Sequence, residues 1–140
     1  MSATANRVFG RPLLDFPSDI RHISSLESLV QRIFSEHSIS DELFPNVLVA
    51  LTEAANNAVL HGNQSNPVKK VRICSQVENR VLYFQIKDEG IGFDPENLPD
   101  PTDPENIEKP NGRGVFLMRR LADEVQFEEE GRVVVLGFRY

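Results

Sequence analysis

The stretch VRICSQVENRVLYFQIKDEGIGF, residues 71–93, decides how this chain is read. Val71, Ile73, Ser75 and Val77 alternate with Arg72, Cys74 and Gln76. Beyond Glu78-Asn79-Arg80, Leu82, Phe84 and Ile86 alternate with Tyr83, Gln85 and Lys87. A period of two marks strands with one buried face, and the short polar segment between them predicts an antiparallel hairpin. The second strand runs straight into Asp88-Glu89-Gly90-Ile91-Gly92-Phe93. Two glycines one residue apart permit positive φ and close backbone approach to a ligand. A carboxylate at a strand end can accept a hydrogen bond from an amino group such as that of adenine. A tight turn that merely closes the strand is the plainer reading of the same residues.

Before the hairpin the chain reads as helical. A short strand over Arg11–Phe16 ends at Pro17. Ser24 and Glu27 have the spacing of a capping box. Leu26, Leu29, Val30, Ile33 and Phe34 then recur at helical spacing, which predicts an amphipathic helix over Ser25–His37. A longer helix starts near Pro45, carries Val47, Leu48, Leu51, Ala55, Ala58 and Val59 on one face, and stops at Gly62 as a C-terminal cap. After the hairpin, Pro95, Pro99, Pro101, Pro104 and Pro110 crowd together among acids and asparagines. That composition sustains neither helix nor inner strand and predicts a long polar surface loop, about 94–111, of the kind that serves as a lid. A helix over Val115–Ala122 and a second hairpin, Glu124–Glu128 and Arg132–Phe138, complete the chain. The expected fold class is α+β: a two-layer sandwich with a mixed, mostly antiparallel sheet and its helices on one face.

Composition bounds the function. At 140 residues the chain suits one domain, 1–140, and 40% apolar with 26% charged residues suits an ordinary globule. A net charge of −6 argues against non-specific grip on nucleic acid or anionic membrane. Cys74 is the single cysteine, so no intrachain disulfide is possible, and the three histidines make no zinc spacing. No apolar stretch is long enough to span a bilayer, and Met1–Arg7 lack the apolar core of a secretory signal, so the cytoplasm is the expected compartment.

Two further segments bear on chemistry. In Glu53-Ala54-Ala55-Asn56-Asn57-Ala58-Val59-Leu60-His61, Glu53 and Asn57 lie one helical turn apart on a shared face beside alanines. A carboxylate and a carboxamide so placed offer oxygen ligands for magnesium and a proton acceptor, although such a pair alone is more often a solvated stripe. Asn111-Gly112-Arg113-Gly114-Val115 opens the last helix, where bare amides and the helix dipole favour phosphate and Arg113 adds a planar cation. A hinge at the end of the lid is the plainer reading, and both can hold. Polar helix, strand-end DxGxG, lid and Gly-x-Gly helix start, in that order, suit different parts of one nucleotide. There is no GxxxxGK[ST] loop and no HRD or DFG set, which excludes the usual triphosphate folds.

At these residues the chain resembles the GHKL ATPases, whose nucleotide-binding domain is the Bergerat fold. Glu53–Asn57 matches the N-box, Asp88–Gly92 the G1 box and Gly112–Gly114 the G2 box. It is similar, more closely, to the small anti-sigma-factor serine kinases of bacteria, which share the Glu-Ala-x-x-Asn-Ala…His form and the Gly-Arg-Gly helix start with arginines at the helix end. The resemblance implies ATP and Mg²⁺ as cofactors, Asn57 as the metal ligand and Glu53 as the general base. It implies Asp88 on the adenine amino group, with Gly90, Gly92 and Phe93 shaping that wall. Gly112, Arg113, Gly114 and Val115 would hold phosphate. It further implies a homodimer and two partners, an anti-anti-sigma (STAS) protein phosphorylated on serine or threonine and an RNA polymerase sigma factor. Alternatives are a nucleotide-gated binding module that transfers nothing and a catalytic fragment of a histidine kinase. The last hairpin departs from the family, with Gly131-Arg132 where Gly-Thr or Gly-Ser is usual. His61 could approach the phosphates from the end of its helix, but an electrostatic cap or space filler is the plainer reading, and Cys74 is read as a packed small residue.

Overall fold

The computed structural model describes residues 7–92 and 110–140. Phe93 and the proline-rich segment through residue 109, which holds nearly all of the expected lid, lie outside the described residues. Five strands form one sheet: β1 (Leu14–Pro17), β2 (Lys70–Glu78), β3 (Val81–Lys87), β4 (Glu124–Glu128) and β5 (Val133–Arg139), in the order β1-β2-β3-β5-β4. All four pairings are antiparallel, so the sheet is antiparallel throughout among the described strands. Three helices, α1 (Ser25–Glu36), α2 (Phe44–Asn57) and α3 (Pro110–Leu121), form the second layer.

The register explains the layering. Ile73 pairs with Ile86, Phe84 with Leu136, and Phe127 with Val134, so every second residue of adjacent strands points to the helices. Phe84, Leu136, Phe138, Ile73 and Ile86 are sealed there against Leu26, Val30, Val47, Leu51 and Val59. The β2–β3 hairpin closes through Asn79 and Arg80, both left-handed with φ 53° and 60°, the geometry that a two-residue turn needs to match strand twist. The opposite face is not bare. Tyr83, Val133 and Val135 are buried on it with Phe9 alongside, and the Arg7 guanidinium stacks 3.7 Å from the Tyr83 ring.

Four boundaries differ from expectation, the first being β1, which starts at Leu14 and not at Arg11 and includes Pro17 as an edge-strand residue. Ser24 is itself helical and makes no capping bond, because a tight 3₁₀ turn over Ile20–Ser24 feeds directly into α1. The cap moves to Asp19, which accepts from Arg21 N–H at 2.9 Å. Gly62 is not a left-handed cap, since α2 passes at Ala58 into a π turn that ends at Asn63. The last helix starts at Pro110, five residues before Val115, because proline's fixed φ suits a first helical position. Residues 110 and 111 therefore belong to α3 and not to the lid.

Candidate functional site: a cleft between two helices and the sheet

The end of β3 and the end of α2 meet over the sheet. Asp88 follows β3 and is held from two sides: its N–H donates to the Arg132 carbonyl at 2.9 Å, and its Oδ1 accepts from Gly90 N–H at 2.8 Å. Gly90 lies so close to the Gly62 carbonyl that any Cβ would overlap it. Gly92 is left-handed, φ 86°, against the Glu130 carbonyl. The two glycines are thus needed for the chain to thread between α2 and the β4–β5 turn.

A buried polar relay fixes this loop. Asn63 donates from Nδ2 to Ser18 Oγ at 2.7 Å and to the Lys70 carbonyl at 3.0 Å, and accepts at Oδ1 from Glu89 N–H at 2.7 Å. Ser18 Oγ in turn donates to the Lys69 carbonyl at 2.7 Å. Both side chains are almost fully buried. Their role was not legible in the sequence, because their partners are forty-five and twenty-six positions away.

Ala54, Asn57, Ala58, His61 and Gly62 from α2 and its π turn form one wall of an open cleft. Ile86, Val134 and Phe127 form an apolar floor, Met118 comes from α3, and Asp88, Gly131 and Arg132 close the far end. The sequence-predicted residues divide accordingly. Asn57 and Asp88 line the cleft directly. Gly114 packs on the carboxamide of Asn57, with room for no Cβ: one built there would sit 2.8 Å from Nδ2. Gly112 is buried in the first turn of α3 and Arg113 is exposed. The Val115 side chain is buried in the core, so only its backbone could face a ligand. Glu53 is half-buried one turn before Asn57 and is not among the residues lining the cleft.

Electrostatics mark the same end. Burial raises the Asp88 pKa above its ordinary 3.8, partly offset by the Gly90 amide and the charges of Arg132 and Lys69. Burial lowers the His61 pKa below 6.5, favouring the neutral ring. Its Nε2 is buried with no hydrogen-bond partner among the described residues. His61 is thus a member of the cleft wall, with an unmet polar atom that a bound molecule would satisfy. Cys74 is buried on the far face of the sheet, its thiol pushed up by burial, as expected of a packed residue.

An apolar slot with one ionisable acceptor, an orphaned imidazole nitrogen and a carboxamide beside a helix start fits a purine nucleotide. In such a fit the slot would take the base and the Asn57–Gly114 contact would lie toward the phosphates. Among the described residues no three His, Cys, Asp or Glu side chains gather to hold a metal. The Asn57 side-chain oxygen would be the residue to hold a divalent cation here, with the hard-oxygen character magnesium prefers.

The chain is similar to several known proteins. The serine-protein kinase RsbW of Staphylococcus epidermidis is 28% identical over 131 residues, covering 89% of this chain and 82% of that protein. The anti-sigma F factor of Clostridium acetobutylicum is 33% identical over 103 residues, covering 66% and 70% respectively. Among solved structures, the histidine kinase domain of the blue-light activated kinase EL346 from Erythrobacter litoralis aligns with a TM-score of 0.53 at 18% identity, over 98% of this chain and 66% of that one. Residues 16–138 match the family described as histidine kinase-like ATPase domain, and the chain belongs to that family.

Proposed function

We propose that this chain is an ATP- and Mg²⁺-dependent protein serine/threonine kinase that acts as an anti-sigma factor. Its substrate is a hydroxyl on an anti-anti-sigma protein of the STAS type, and its other partner is an RNA polymerase sigma factor. The names of its relatives support the class of activity. The observation that carries the reading is the meeting of Asn57 with Gly114 beside a cleft that Asn57 and Asp88 both line.

When bound, ATP supplies the phosphoryl group and Mg²⁺ spreads its charge, so phosphoryl transfer asks the protein mainly for positioning. Asp88 accepts from the base amino group, and the apolar floor excludes water from the base. Asn57 holds the metal from its side-chain oxygen. The amides at the start of α3, with Arg113, face the phosphates. Glu53, one turn back along α2, takes the proton from the incoming hydroxyl. No described helix is long and apolar enough to cross a membrane. Cytoplasmic placement and a homodimer belong to the same reading.

The test is transfer of label from γ-³²P-ATP to STAS proteins of the same genome. Label on a serine or threonine supports the kinase, and Glu53→Gln should abolish transfer while leaving nucleotide affinity within about twofold of wild type. Undiminished transfer by that variant would contradict the base assignment. The position of Glu53 outside the cleft lining favours one second reading, a binding module gated by nucleotide without transfer. That reading predicts nucleotide-dependent partner binding with no label moved.

A further inference from the structure

Arg132 and Asp88 stand at the same end of the cleft on neighbouring segments, locked in register by the 2.9 Å bond from Asp88 N–H to the Arg132 carbonyl. The backbone before Arg132 is unusual. Glu129, Glu130 and Gly131 are all left-handed, at φ 48°, 59° and 86°. Two non-glycine residues in that region are costly and persist only where the surroundings enforce them. Here the Glu130 carbonyl abuts Gly92 and Gly131 is buried, so the turn that aims Arg132 is clamped by the loop that carries Asp88.

The guanidinium has little to do within the chain. Its ion pair is with Glu130 at 3.9 Å, and that carboxylate is 80% exposed, so the pair contributes next to nothing. Among the described residues Arg132 makes no ion pair with Asp88, although the two opposite charges line one cleft. Asp88 offers only acceptors and Arg132 only donors. A molecule lying between them must therefore present a donor and an acceptor side by side. The adenine edge does so, with an amino donor flanked by acceptor ring nitrogens.

We propose that Arg132 is a second base-reading residue, its guanidinium donating to an acceptor nitrogen, N1 or N7, next to the amino group that Asp88 holds. This rests on the nucleotide reading of the cleft given above and adds a specificity determinant to it. Arg132 also holds a positive charge near Asp88, which favours the ionised carboxylate that base recognition needs.

Calorimetric titration of the full chain with Mg²⁺ and ADP, 1-deaza-ADP or 7-deaza-ADP tests it. Wild type should lose about tenfold or more in affinity for one deaza analogue, the loss expected for a charge-assisted bond. Arg132→Ala should bind ADP about tenfold more weakly and no longer distinguish ADP from that analogue. Arg132→Gln keeps much of the side-chain length and serves if the alanine variant unfolds. Wild type indifferent to both analogues overturns the proposal without any variant. So do Arg132 variants that weaken all three ligands equally and keep the deaza penalty. A wild type that binds no ADP overturns the kinase reading itself, whereas normal ADP binding with no Arg132 effect sinks this proposal alone.

Discussion

Asp88 illustrates a conflict between stability and function within one side chain. It is 7% exposed, and its dominant perturbation is burial, which raises the folded-state pKa above 3.8. The sign follows from linkage. Below pH 3.8 the carboxyl is protonated folded or unfolded and costs nothing. As pH climbs through the raised folded value the unfolded chain ionises more readily, so the folded state loses stability. Asp88→Asn retains an oxygen for the Gly90 amide, removes the charge, and should raise the melting temperature of the ligand-free protein at pH 7. That gain should vanish in melts run near pH 3, while nucleotide affinity at pH 7 falls by tenfold or more. Gly114→Ala tests the other end of the cleft. Its methyl would press on Asn57 Nδ2 and displace the carboxamide, and magnesium-dependent ADP binding should weaken about tenfold, as seen by calorimetry. Asp88, Asn57 and the glycines were legible because carboxylate, carboxamide and glycine at those spacings announce their chemistry locally. His61 and Arg132 stood out in the sequence without a role, since an isolated histidine or arginine gains one only when a fold sets it beside a cleft.

At the scale of elements, α2 does two things with one run of residues. Val47, Ala50, Leu51 and Ala55 bury one side in the core. Ala54, Asn57, Ala58 and His61, spaced three and four apart, present another side to the cleft. The helix then widens into a π turn, with Asn63 N–H bonded to the Ala58 carbonyl at 2.8 Å. Such turns are uncommon and often sit at functional sites. Here the turn delivers Asn63 to Ser18 and to the loop after β3. Asn63→Ala removes three side-chain hydrogen bonds and leaves the buried Ser18 hydroxyl and the part-buried Glu89 N–H short of a partner, a cost of about 3 kcal/mol. Chemical denaturation should show that loss, and the residual folded protein should bind ADP more weakly because the Asp88 loop is no longer pinned. The helical face of α2 was readable from periodicity. The π turn was not, because Gly62 looks like an ordinary cap until a strand end presses against it.

Taken whole, the molecule places its site by strand order. β3 and β5 are neighbours at the centre although α3 and β4 intervene in sequence, so Asp88 after β3 meets Arg132 before β5. That centre also carries the core: Phe84 and Phe138 are fully buried and meet edge to face at 6.4 Å. Phe84→Ala should cost about 3–5 kcal/mol and lower the melting temperature by roughly 10 °C or more. Thermal unfolding by circular dichroism measures it, and ADP affinity at 10 °C should stay near wild type if the cleft is rigidly framed. The sequence by itself determined the elements, the buried face of each strand and the residue types of the three boxes. Periodicity, turn chemistry and glycine spacing are local, and they act before any long-range contact forms. Tertiary structure alone decided that Arg7 and Phe9 help cover the far face of the sheet, that Val115 serves the core, and that His61, Asn63 and Arg132 join the site. Those assignments depend on which distant backbone segments come within hydrogen-bonding reach, and that is set by packing the whole core and by no spacing along the chain.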